Sequence, residues 1–175
     1  MDLESVRRYL EKGGGEDEDK NAFTINGLPL RFFERFIMQD LRVDLIEPGR
    51  LICTFKVPQR LLNAGNFLHG GATATLVDLV GSAVIFSVGA PATGVSVEIN
   101  VSYLDAAYAD EEIEIEARVL RVGKAIGVVS VEFRKKETGK IIAQGRHTKY
   151  LPVASKIIYA YRMSKTVVTC VRCSC

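Results

Sequence analysis

The chain has 175 residues, 47% of them apolar, enough for one domain around a single substantial core. Its 23 basic and 21 acidic residues leave a formal net charge of +2, too near balance for non-specific nucleic-acid binding, so an anionic ligand has to be met by a few placed residues. No stretch approaches the ~18 consecutive apolar residues of a membrane span, and the N-terminus opens on charged residues instead of an apolar leader core. Two histidines and four cysteines, three of them at Cys170, Cys173 and Cys175, are poor material for a zinc site or a disulfide framework in the body. The expectation is a cytoplasmic protein, with the peroxisome and the mitochondrion as alternatives, and with no metal and no cofactor.

Residues 1–20 carry seven acids against four bases. Leu3, Val6, Tyr9 and Leu10 have helical spacing, and Gly13-Gly14-Gly15 before Glu16-Asp17-Glu18-Asp19 reads as a flexible acidic linker. The folded unit is expected over 21–151. Phe32, Phe33 and Phe36 suggest a helical turn leading into a strand over 39–46, and Glu47-Pro48-Gly49 turns the chain into a second strand over 50–57. A polar loop over 58–69 precedes a long segment of small and apolar residues over 70–88, whose only charge after Ala72 is Asp78; length and composition make it a helix buried on nearly all sides. After a break at 89–94, Val95, Val97, Ile99, Val101 and Tyr103 alternate with polar residues, the period of a half-buried strand. Strands over 112–120, with Ile113, Ile115, Ala117 and Val119 inward, 126–134 and 140–150 complete the order β-β-α-β-β-β-β. This is an α+β chain whose antiparallel sheet wraps one long central helix. Residues 152–175 hold four bases and no acid and read as an unstructured extension. Ser155-Lys156-Ile157 is like a peroxisomal address, but such a signal is read at a chain end; a form ending there would be expected in peroxisomes.

The densest chemical signal is Asn63-Ala64-Gly65-Asn66-Phe67-Leu68-His69-Gly70-Gly71 with Asp78 beyond it. Adjacent glycines at a helix start admit a ligand close to the backbone, and first-turn N–H groups lack intrahelical partners, so Gly70 and Gly71 can stabilise a developing oxyanion. His69 and Asn63 then orient the loop or the substrate carbonyl. A carboxylate among Leu76, Val77, Leu79 and Val80 is costly to bury without work to do, which marks Asp78. Gly70 and Asp78 stand eight residues apart, about 12 Å along a helix, too far to act on one carbon. Two copies paired about a two-fold axis with antiparallel helices would bring Gly70 of one opposite Asp78 of the other, so a homodimer with a shared site is expected. Ser96, opening the next strand, can hold a water beside Asp78. His147 reads as a structural hydrogen-bonding residue, and no Gly-x-Ser-x-Gly elbow supports a serine triad.

Asn63, His69-Gly70-Gly71, Ala72-Thr73-Ala74-Thr75-Leu76-Val77-Asp78, Gly94-Val95-Ser96-Val97 and Gly145-Arg146-His147-Thr148-Lys149 together resemble the small hotdog-fold acyl-coenzyme A thioesterases of the thioesterase-superfamily-member-2 type, over about residues 30–151. The resemblance implies hydrolysis of a medium- to long-chain fatty acyl-coenzyme A to free acid and coenzyme A. In it the Gly70 N–H polarises the thioester carbonyl, Asp78 of the partner subunit activates water, and Asn63 and Ser96 position the reactants. It further implies coenzyme A contacts at Tyr103 and along Arg121, Val122, Gly123, Lys124, Ala125 and Ile126, and a homodimer that pairs again into a tetramer. The pattern departs at Tyr150, where relatives carry a coenzyme-contacting histidine. Two alternatives stand beside this reading: a hotdog hydratase or dehydratase, and a non-catalytic acyl-coenzyme A binding module.

Overall fold

The computed structural model describes residues 3–11, 32–90 and 94–151. The expected acidic linker and the 152–175 extension lie outside them. In chain order the elements are α1 (Leu3–Glu11), α2 (Phe32–Met38), β1 (Arg42–Glu47), β2 (Arg50–Lys56), a 3-10 turn at Gln59–Leu61, α3 (Gly70–Phe86), β3 (Val95–Tyr103), β4 (Glu112–Val122), β5 (Ile126–Lys135) and β6 (Ile141–Tyr150). The six strands form one sheet in the order β1-β2-β4-β5-β6-β3, with every neighbouring pair antiparallel. No helix among the described residues is long and apolar enough to cross a membrane.

Helix α3 lies in the concavity of this sheet. It buries most of its circumference, from Ala72 and Leu76 through Val80 and Ile85, and leaves only the narrow stripe of Gly71, Ala74, Thr75 and Asp78 partly open. Its small residues let the backbones close in. A Cβ on Gly81 would come within 3.0 Å of Val129 and 3.2 Å of the His147 ring, and one on Gly145 of β6 would meet Val77 at 2.6 Å. Alternate residues of the sheet, Phe55, Ile113, Ile115, Ala117, Val129, Val131 and Phe133, complete the core. Helix α1 joins it: Val6 and Leu10 are buried, and the Arg7 guanidinium donates to the Val43 carbonyl at 2.7 Å.

The expected element order holds, with three local differences. Strand β1 starts at Arg42 because residues 39–40 turn the chain out of α2, with Asp40 at a φ of +73°. Helix α3 stops at Phe86, where the Ser87 hydroxyl caps the Val84 carbonyl and residues 87–89 turn. Strand β3 is not half-buried: it is the edge of the sheet, and Val95 and Val97 are 62% and 61% exposed. Nor does it keep simple alternation, for the register shifts between Ser96 and Glu98. That bulge leaves Val97 as the extra residue and turns Ser96 to the same inner face as Ile99, opposite Lys149 and His147 of β6.

Candidate active site

The loop before α3 is ordered by its own polar side chains. Asn63 Oδ1 accepts from the Gly65 N–H at 2.8 Å and the Phe67 N–H at 3.4 Å, fixing the turn that delivers the chain to the helix. His69 is the N-cap, and its Nδ1 accepts from the Gly71 N–H at 2.9 Å. This corrects the expectation that both glycines offer free donors, because the cap satisfies Gly71. The Gly70 N–H makes no hydrogen bond among the described residues. Tyr103, at the far end of β3, donates its hydroxyl to the Gly70 carbonyl at 3.0 Å and lays its ring against the glycine, where a Cβ would stand 3.4 Å from it. The first turn of α3 is thus held from both sides, with the Gly70 and Ala72 N–H groups left over among the described residues.

Two turns along the helix, Asp78 gathers polar groups from two strands. Its Oδ1 accepts from the Ser96 hydroxyl at 3.2 Å and from the Ser82 hydroxyl at 3.4 Å. Behind Ser96 stands His147, whose Nε2 is 2.9 Å from the hydroxyl; behind Ser82 stands Lys149, whose ammonium donates to it. His147 Nε2 and Lys149 Nζ lie 3.5 and 4.0 Å from the same Oδ1. Oδ2 has no hydrogen-bond partner among the described residues. The Asp78 side chain is 41% exposed, so it is not sunk among the leucines and valines that flank it in sequence. It leaves α3 toward the open β3 edge, which replaces the burial argument by one of location.

Burial sets the charges behind it. The His147 imidazole is fully buried, and desolvation, aided by the neighbouring Lys149 charge, drives its pKa well below the ordinary value, while Asp78 and the Val77 carbonyl pull the other way. It is therefore neutral at neutral pH. Its Nδ1 makes no hydrogen bond of ordinary geometry. Burial likewise lowers Lys149, and the Asp78 charge opposes the shift. Tyr9 of α1 is pushed up to about 12, by burial first and then by Glu34, to which its hydroxyl donates at 3.3 Å.

Two hollows flank the Tyr103 ring. A groove of about 370 Å³ runs past Phe33, Thr75, Asp78, Ile99 and Val101, and a smaller one of about 160 Å³ lies against Gly70, Phe67 and Ile142. Arg121, Lys124 and Ala125 are exposed around the β4–β5 hairpin, which closes through the Gly123 N–H on the Ile126 carbonyl at 2.8 Å. Ile126 pairs with Tyr150 and Tyr150 with Val95, so this hairpin shares the Ser96 end of the sheet and Tyr103 the opposite end. The residues singled out from sequence therefore assemble as two clusters, Asn63-His69-Gly70-Tyr103 and Asp78-Ser96. Sequence reasoning missed Lys149 and Ser82 and gave His147 no place beside Asp78. The signal was present: Ala143, Gly145, His147 and Lys149 are alternate residues of one strand, and polar residues on its inward face need partners.

Residues 65–142 match the family model described as thioesterase superfamily. Human acyl-coenzyme A thioesterase 13 is 44% identical over 121 residues, 69% of this chain and 86% of that protein. The chain belongs to the thioesterase superfamily. A putative esterase of Caenorhabditis elegans is a more distant relative, 35% identical over 66% of this chain and 69% of its own length. The crystal structure of zebra fish thioesterase superfamily member 2 superposes on this thioesterase with a TM-score of 0.71 at 34% identity, covering 86% of this chain and 99% of that one. A hypothetical thioesterase of Streptococcus pneumoniae solved with coenzyme A gives 0.60 at 25% identity, covering 63% and 84%. The sheet wrapped on one helix is thus the hotdog fold, and the protein is a thioester hydrolase.

Proposed function

We propose that this thioesterase hydrolyses a fatty acyl-coenzyme A in a site formed between two copies of the chain. The observation that carries the reading is the division of Asp78: Oδ1 is tied to two hydroxyls, while Oδ2 is open beside a groove lined by Phe33, Ile99 and Val101. A carboxylate held this way is a general base, and the apolar groove suits an acyl chain. At the start of α3, two turns before Asp78, the Gly70 N–H is a free donor for the carbonyl oxygen, backed by the His69 cap and the Tyr103 hydroxyl. The helix separates the two groups, so a second copy with its helix reversed supplies the missing half. The open β3 edge, with its exposed valines, is the face for that copy, and the dimer is expected to pair again.

Water bound to Asp78 Oδ2 attacks the thioester carbon and gives its proton to the carboxylate. The oxyanion forms against Gly70 N–H, then collapses with cleavage of the C–S bond. The proton passes to the departing coenzyme A thiolate, leaving the free acid. Arg121 and Lys124, both exposed, are the residues proposed to meet the coenzyme phosphates.

The test is thiol release from a panel of acyl-coenzyme A esters by wild type and Asp78→Asn. The substitution keeps the shape and removes the base, so kcat is expected to fall by roughly 10²–10⁴-fold with ligand binding retained. Unchanged turnover would overturn the general-base reading. Binding without thiol release by the wild type would make the protein an acyl-coenzyme A binding module.

A further inference from the structure

Lys149 is 3% exposed, on the inner face of β6 beneath α3. A lysine in that position loses its hydration, which is costly unless charge and hydrogen bonds are recovered. Its ammonium recovers them through Ser82, to which it donates, and through Asp78 Oδ1 at 4.0 Å, its only carboxylate within ion-pair distance among the described residues. Ser82 passes the contact on, donating to Oδ1 at 3.4 Å. Every partner of Asp78 thus lies on one oxygen.

We propose that Lys149, acting through Ser82, is a positioning residue for hydrolysis: it anchors Asp78 at Oδ1 so that Oδ2 is the oxygen that takes the proton from water. The proposal rests on the general-base role of Asp78. The other groups facing that carboxylate leave Lys149 as the nearby cation. From the same strand comes His147, kept neutral by burial; from β3 comes the Ser96 hydroxyl; from α1 comes Tyr9, a neutral phenol whose hydroxyl is spent on Glu34 of α2. No charged group of β2, β4 or β5 forms an ion pair with it among the described residues.

The experiment compares wild type, Asp78→Asn, Lys149→Met and Ser82→Ala by kcat and KM for thiol release, with thermal melting to confirm folding. Met keeps the length of lysine without its charge. A carboxylate without its anchor reaches the water-holding orientation less often while the substrate surface is unchanged, so kcat falls and KM does not. For Lys149→Met kcat is expected to fall about tenfold and KM to stay within about twofold. Ser82→Ala should lower kcat in the same way by less, and it decides the matter should Lys149→Met fail to fold. An unchanged kcat in folded variants, with Asp78→Asn inactive, overturns the role of Lys149 and leaves the general base standing. Activity in Asp78→Asn overturns both.

Discussion

Gly145 is where a single hydrogen atom decides the packing. A Cβ there would meet both γ-methyl groups of Val77, at 2.6 and 2.9 Å, on the strand that carries His147 and Lys149 and beneath the helix turn that carries Asp78. Val77 is buried and β-branched, so its side chain has little freedom to yield. Gly145→Ala is therefore expected to destabilise the fold by about 1–3 kcal/mol through overpacking, read as a lowered melting temperature. A melt equal to wild type would mean that α3 and β6 can separate without cost. The same tight approach explains the contact between the Asp78 cluster and β6: only small residues at Gly81 and Gly145 bring the helix close enough for side chains of the strand to reach the carboxylate.

Strand β3 carries the element-scale consequences. Its pattern of alternating apolar residues predicts a buried face, yet in one copy that strand is the open edge of the sheet. An exposed edge with bare valines is a template for pairing with another strand, and it is the face the proposed dimer would use. Val97→Lys places a charge on this edge without touching Asp78 or Gly70. Light scattering is expected to show the wild type as a dimer or larger and the variant shifted toward monomer, with thiol release falling in step. A variant that keeps both its mass and its turnover would refute the shared site. The strand also shows what periodicity hides. Counting by twos puts Ser96 on the face opposite Ile99, and one extra residue at Val97 reverses it, which is how a serine whose pattern faces solvent comes to bond Asp78.

Over the whole molecule, the buried imidazole makes stability depend on pH. The His147 pKa falls from 6.5 to about 4 on folding, burial being the main cause. Below about pH 6.5 the unfolded chain binds a proton that the folded chain refuses, so stability is full above that point and is lost as pH falls toward 4. The melting temperature is expected to decline between pH 6.5 and 5, before ordinary carboxylates titrate, and His147→Gln should flatten that decline. A wild-type melt constant across this interval would contradict it.

By itself the sequence determined the elements and their order, because periods of two and 3.6, turn residues and a helix of small and apolar residues are local signals. It also marked Gly70, His69 and Asp78, since unusual residues in a helical run stand out against their neighbours. Tertiary structure alone decided which groups meet: that His69 spends the Gly71 donor, that Ser96 turns inward, and that Lys149 and His147 stand behind the carboxylate. Apart from the local His69 cap, those contacts join residues 18 to 67 positions apart at a bulge and across close-packed backbones. Local propensity cannot encode them, because they depend on register and on how nearly two elements approach.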